Sequence, residues 1–435
     1  MQFERSRALQ RKSHALIPGG AHTYAKGDDQ YPELAPGFIV RGEGCRVWDV
    51  DGNEFIEYGM GLRSVTLGHA YRPVLEAAYR QMQFGENYTR PALIELECAE
   101  KLAGLIDSAE MVKFAKNGSD VTTAAVKLAR AFTGRDLVAV CADHPFFSVD
   151  DWFIGSVPMS AGIPQAVQRL TLSFRYNDLA SAQALFDQHP GQIACLVLEL
   201  ERTEPPAGDF LHALKRLCHA NGALLIADEI VTGFRWHLKG AQHCFDLSPD
   251  LSTFGKAMGN GFSVAALVGR REIMELGGLS HNRERVFLLS TTYGAETHTL
   301  AATLATIETY EREGVIEVLY RQGERLRAGV QRAIDAHGLA SYFELSGRPC
   351  NLLYATRDEG RRPSQAFRTL FLQETIRRGL LMPSMVVSFA HNDAAIDATV
   401  ARVGEALYIY RRALDEGVEK YLEGRPVKPV FRQYN

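Results

Sequence analysis

Residues 223–260 read ALLIADEIVTGFRWHLKGAQHCFDLSPDLSTFGKAMGN. The stretch opens on a short apolar run, Leu224 to Ala227, which is the pattern of a strand buried on both faces. The run stops at Asp228, and the carboxyl end of a buried strand is where open α/β sheets keep their ligands. After one excursion a second short strand, Leu251 to Phe254, delivers Lys256 within Gly-Lys-Ala-Met-Gly-Asn-Gly. Glycines around a lone lysine permit tight turns and the close approach of a ligand. A lysine amine that attacks a carbonyl must first lose its proton, which partial burial and a cationic neighbour favour. Together the two residues read as a Schiff-base lysine and a carboxylate holding a protonated ring nitrogen, a pairing that suits pyridoxal 5'-phosphate (PLP). Each alone has a plainer reading, Asp228 as a cap and Lys256 as a surface lysine, since charged residues are mostly exposed.

The surrounding chain bounds the possibilities. Its 435 residues are enough for two or three domains with a large core. A hydrophobic content of 46% with 23% charged residues is that of an ordinary globular protein. A net charge of −4 gives no sign of nucleic-acid or anionic-membrane binding. No run reaches the apolar length of a membrane span, and the first twenty residues lack the apolar core of a signal peptide. The seven cysteines are scattered without a C-x-x-C pair, so a reduced cytoplasmic protein without a structural metal is expected.

Outward from the central stretch, the spacing predicts alternating strands and helices. Residues 1 to about 16 form a helix that Pro18-Gly19-Gly20 stops, and a Gly, Pro, Asp and Tyr-rich loop follows. Runs at 38–40, 45–50 and 54–58 make a small antiparallel meander with Asp51-Gly52-Asn53 as a turn. A strand at 110–115 leads through Lys116-Asn117-Gly118-Ser119-Asp120 into a helix from Val121. Strand, Gly-Ser turn and helix start place backbone N–H groups and a hydroxyl where a phosphate can bind, although the same turn is also plain capping. After the strand 137–141 come Phe146 and Phe147, which could stack on a flat cofactor or join the core. The strand 194–198 ends at Glu199, and the helix 210–221 completes a parallel βαβ unit with 223–227. A further strand is expected at 286–289. From Gly314 the pattern changes to helices flanking short strands, an α+β arrangement.

The blocks IPGG, VWDVDGNEFIEY, TLGHA, KLARAFTGR, ADEIVTGFR, FGKAMGNG and SFAHNDAAID, in this order, resemble the class III, fold-type I PLP aminotransferases and within them the glutamate-1-semialdehyde 2,1-aminomutase branch. The likeness runs from about Ile17 to about Ala406. It implies an aspartate aminotransferase-like α/β fold: a large domain over 69–313 with a mainly parallel sheet, and a smaller α+β domain from 314–435 joined by 1–68. It makes Lys256 the internal-aldimine lysine and proton carrier, and Asp228 the partner of the pyridine nitrogen. Ile230 would pack beneath the ring, Phe146 would stack on it without a phenolic hydroxyl, and Glu199 would be the acid of the neighbouring strand end. Gly118 and Ser119 would hold the phosphate. Thr292 would reach the phosphate of the other subunit of a homodimer.

The sequence also departs from the family. The usual Ser-Gly-Thr is Asn117-Gly118-Ser119, and Ser-Gly-Asn-Pro after Thr292 has become Tyr293-Gly294-Ala295-Glu296-Thr297. Lys26 stands where the branch has a carboxylate-binding arginine, and lysine lacks that bidentate fork. With Tyr24 and Glu296 it marks the expected substrate-facing segments and points away from glutamate-1-semialdehyde. The resemblance therefore implies transfer of an amino group from an amino-acid donor to an aldehyde or ketone, such as a sugar or small-acid intermediate. Intramolecular aminomutation and PLP-dependent epimerisation are the alternatives, and a non-catalytic cofactor-binding protein is disfavoured because Lys256 and Asp228 are both kept.

Overall fold

In the computed structural model, which describes residues 1–434, the chain divides into two units, Met1–Tyr71 with Glu317 onward, and Arg72–Ile316. The first unit opens with the helix Glu4–Leu16 and the antiparallel strands β1 (Ile39–Glu43), β2 (Arg46–Asp49) and β3 (Glu54–Glu57). Their last turn is made by Asp49, whose carboxylate accepts the N–H groups of Asp51 at 3.0 Å and Asn53 at 2.7 Å. That is the local bonding by which aspartate favours turns.

The second unit is built on seven strands: β4 (Met111–Ala115), β5 (Leu137–Cys141), β6 (Thr171–Phe174), β7 (Ile193–Leu198), β8 (Leu224–Asp228), β9 (Leu251–Phe254) and β10 (Ala265–Gly269). They lie in the order β4-β10-β9-β8-β7-β5-β6. Neighbours from β9 to β6 pair in parallel, and β10 runs antiparallel to both β9 and β4. Every residue of β7, β8, β9 and β10 is buried, so β7 and β10 are unbroken apolar runs, while β9 carries buried Ser252 and Thr253 and β8 ends on buried Asp228. Full burial of each large aliphatic side chain there is worth about 1.5–3 kcal/mol. At the amino ends of β8 and β9, buried Asp250 accepts from the Leu225 N–H at 2.8 Å, His219 Nε2 at 2.9 Å and Arg270 Nη1 at 2.6 Å. One carboxylate thus ties together β8, β9 and the exit of β10.

Two strands of this sheet, β6 and β10, lie outside the expected set, and the strand expected at 286–289 is not formed. Its apolar residues are used in another way. Val286 donates its N–H to the Leu276 carbonyl, and Leu288 packs so close to Gly277 that a Cβ there would lie 2.8 Å from it. Burial against the core is satisfied without a ladder.

The first unit resumes with β11 (Phe343–Ser346), β12 (Leu353–Thr356) and the two-residue β13 (Leu380–Leu381), which adds in parallel to β3. Its long helices are Val315–Ala336, which starts at the unit boundary, Gln365–Arg377 and Asp393–Glu416. Among the described residues, no helix is long and apolar enough to cross a membrane.

Candidate active site

Four adjacent parallel strands, β5, β7, β8 and β9, release a titratable residue at or just past their carboxyl ends: His144, Glu199, Asp228 and Lys256. The strand order alone puts these side chains in one row at one edge of the sheet. Asp228 is 4% exposed. Its Oδ1 accepts the Ile230 N–H at 2.9 Å and the Thr253 hydroxyl at 3.3 Å. Burial and the nearby Glu199 carboxylate push its pKa up to about 7, against the pull of the Ile230 N–H, Lys256 and Thr253.

Glu199 is itself buried and pairs with Arg202 at 2.8 Å. Its backbone N–H donates to His144 Nδ1 at 3.1 Å. Burial pulls the His144 pKa down to about 4, so the ring is neutral at physiological pH. Lys256 begins a short 3-10 turn, Lys256–Gly259, with φ of +44°. A non-glycine residue rarely holds that conformation, and such strain concentrates at functional sites.

The turn after β4 supplies a cap and also leaves helix N–H groups at its mouth. Asn117 caps the helix Gly118–Thr133, its side chain accepting the Asp120 N–H at 3.2 Å. The Asp120 carboxylate in turn accepts the N–H groups of Lys116 and Asn117. The N–H groups of Gly118 and Ser119 remain at the positive end of the helix, the natural seat of an anion. The Ser119 hydroxyl accepts the Val149 N–H at 3.0 Å and keeps its own proton to donate.

Whether PLP fits is decided by Ile230. A Cβ at Gly118 would lie 3.3 Å from Ile230 Cδ1, and one at Gly255 would lie 3.1 Å from it. Ile230 therefore sits against both the helix start and the residue before Lys256, and either added side chain would crowd it. The Gly118–Ser119 turn, Ile230, Asp228 and Lys256 are residue types that would suit a phosphorylated pyridine aldehyde.

The two phenylalanines part company. Phe147 is 2% exposed and meets Phe153 edge-on at 5.5 Å, whereas Phe146 is 43% exposed. Phe146 is thus the ring with surface left to offer. The segment that follows is fastened to the helix Gly118–Thr133. Thr122 Oγ1 donates to the Phe147 carbonyl at 2.7 Å, and Thr123 Oγ1 donates to Asp150 at 2.6 Å while accepting from Trp152 Nε1 at 2.7 Å.

Thr292 lies in the segment before the helix Thr297–Glu313, and its carbonyl accepts from Asn87 Nδ2 at 3.1 Å. Glu296, expected to face substrate, forms an ion pair with Lys116, next to the phosphate turn. Tyr24 and Lys26 belong to the other unit, on the short exposed turn Tyr24–Lys26. Sequence reasoning passed over His144, Arg202, Thr253 and Thr123. His144 carries the same strand-end signal as Asp228, and Thr253 is a polar residue inside a buried strand, a signal that could have been read.

The profile of the family Aminotransferase class-III matches residues 26–341. Glutamate-1-semialdehyde 2,1-aminomutase of Aeropyrum pernix is 32% identical, over 96% of this chain and 99% of its own. The protein of the same name from Roseiflexus castenholzii is also 32% identical, over 96% and 100%. Among solved structures, the PLP internal aldimine form of the FumI protein of Sphingopyxis sp. MTA144 superposes with a TM-score of 0.87 and 26% identity, covering 95% of this chain and 98% of that one.

Proposed function

The chain belongs to the class III aminotransferases, and from that premise we propose that this PLP-dependent enzyme moves an amino group from an amino-acid donor to an aldehyde or ketone acceptor. PLP supplies the carbonyl that takes up the amino group and a ring that draws electron density from the substrate's α-carbon. Lys256 carries the cofactor and, when released, takes the proton from the α-carbon and returns it. Asp228 holds the ring nitrogen in its protonated form. The N–H groups of Gly118 and Ser119 with the Ser119 hydroxyl hold the phosphate. Ile230 and Phe146 exclude water from the two faces of the ring. The observation that carries this reading is the packing of Ile230 against both Gly118 and Gly255 beside buried Asp228.

A second reading, intramolecular aminomutation, is favoured by the names of the relatives at 32% identity. Lys26 in place of the branch's arginine weighs against that substrate. The two separate in one assay: the absorbance of the PLP-loaded protein is followed while candidate amino donors are added one at a time. An aminotransferase passes to the pyridoxamine form with a donor alone and returns only with an acceptor. Turnover of a single amino-aldehyde with no second substrate would establish the aminomutase instead.

The enzyme is further proposed to act as a homodimer, with Thr292 of each subunit serving the phosphate site of the other. The exposed apolar residues of 75–96 support this assembly.

A further inference from the structure

Thr253 lies inside β9, a strand whose other residues are Leu251, Ser252 and Phe254, and all four are buried. A hydroxyl in such a place needs a partner, since burying it unpaired costs more than the bond returns. The register supplies one: Thr253 lies opposite Asp228 in the parallel pairing of β8 with β9. Its Oγ1 donates to Asp228 Oδ1 at 3.3 Å, and the Ile230 N–H donates to the same oxygen at 2.9 Å. Both donors fall on one oxygen, so they fix the plane of the carboxyl group and leave Oδ2 outside that pair of bonds.

We propose that Thr253 is a positioning residue that orients Asp228 and keeps it ionised for the cofactor's ring nitrogen. The inference rests on the PLP-binding role of Asp228 proposed above. The charged groups acting on Asp228 oppose one another. Glu199, at the end of β7 and itself held by Arg202, disfavours the carboxylate together with burial, while Lys256, after β9, favours it. Ring-protonated PLP needs the carboxylate. An apoprotein in which Asp228 holds its proton must lose that proton before binding, and each donor on Oδ1 eases the loss. Without the Thr253 hydroxyl, the penalty grows at low pH and vanishes once Asp228 is ionised in both proteins.

The test is the dissociation constant for PLP of the full chain stripped of cofactor, measured by absorbance at pH 6 and pH 9. Thr253→Val should bind roughly fivefold more weakly than the parent at pH 6, the effect of about one hydrogen bond, and equally at pH 9. Thr253→Ser should behave as the parent. In an Asp228→Asn background, where no carboxylate is left to ionise, the valine should change nothing further. A loss of equal size at both pH values, or one that persists in the Asp228→Asn background, would mark a merely structural role and overturn the proposal. Should the valine variant misfold, Thr253→Ala against Thr253→Ser makes the same comparison. If the parent takes up no PLP, the proposed function falls. If it does and Thr253→Val matches it at pH 6, only this inference falls.

Discussion

A carboxylic acid raised to about 7 at the end of a buried strand is a cost that the apoprotein carries. The folded chain keeps a proton on Asp228 that the unfolded chain releases near pH 4. The stability tied to that proton is therefore fully present below pH 4 and is lost as pH rises through 7. Roughly three pH units at 1.36 kcal/mol each make the loss on the order of 4 kcal/mol. Asp228→Asn should remove this fall. In urea denaturation of the cofactor-free proteins at pH 5 and pH 8, the parent should lose about 2–3 kcal/mol relative to the variant, the rest of the loss falling below pH 5, and parallel behaviour would place the pKa elsewhere. For the chemistry, Lys256→Ala should abolish the visible cofactor band and turnover together. A variant that still transaminates at the parent's rate would remove Lys256 from its role. Both residues were legible in the sequence because a strand-end acid and a glycine-flanked lysine leave linear signatures. Thr253 announces itself only as a polar residue in a buried run, and its partner Asp228 follows from the cross-strand register, while Arg202 is placed by a loop conformation that no spacing rule announces.

The elements differ in how openly they declare themselves. The fully buried strands β7 and β8 read directly as apolar runs, since burial on both faces leaves few polar positions in the pattern, while β9 keeps two buried hydroxyls among its four residues. The run Ala265–Gly269 has the same character and forms β10, while the run 286–289 forms no strand, because a short apolar run signals burial and not pairing. The Gly-Ser turn reads in the sequence as capping or phosphate binding, and in the fold Asn117 does the capping while Gly118 and Ser119 are left for the proposed phosphate. The same helix also fixes the Phe146 loop through Thr122 and Thr123. Thr123→Val keeps the shape but strands Trp152 Nε1, which is bonded to Thr123. It should cost about 1–3 kcal/mol of stability and weaken PLP binding, read by thermal unfolding with and without the cofactor. An unchanged cofactor affinity would uncouple the loop from the site. At the opposite end of the sheet, Asp250→Ala removes the acceptor of three donors on three segments. A loss of about 3–5 kcal/mol in denaturant titration is expected, with cofactor affinity in the surviving folded fraction unchanged.

At the scale of the whole molecule, one surface asks for a partner. The helix Arg72–Met82 buries Val74 and Ala78 on one face and exposes Leu75, Tyr79 and Met82 on another, at spacings of four and three. A helix apolar on two faces has one face too many for a monomer. The exposed series continues through Phe84, Tyr88, Leu93 and Leu96, with Phe84 76% and Leu93 70% exposed. These residues lie in one stretch of sequence, and we propose that together they form an apolar surface that a partner covers. A second copy is the occupant that the proposed role of Thr292 requires, and a stable interface buries about 800 Å² on each partner. Light scattering should give twice the chain mass for the parent protein. Tyr79→Glu combined with Leu93→Glu places two charges in the patch and should yield a monomer. The monomer should keep its fold by circular dichroism and yet bind PLP more weakly, because each phosphate site would lack the threonine of the other subunit. A folded monomer with the parent's cofactor affinity and turnover would show that one chain completes its own site, and Thr292 would need another role.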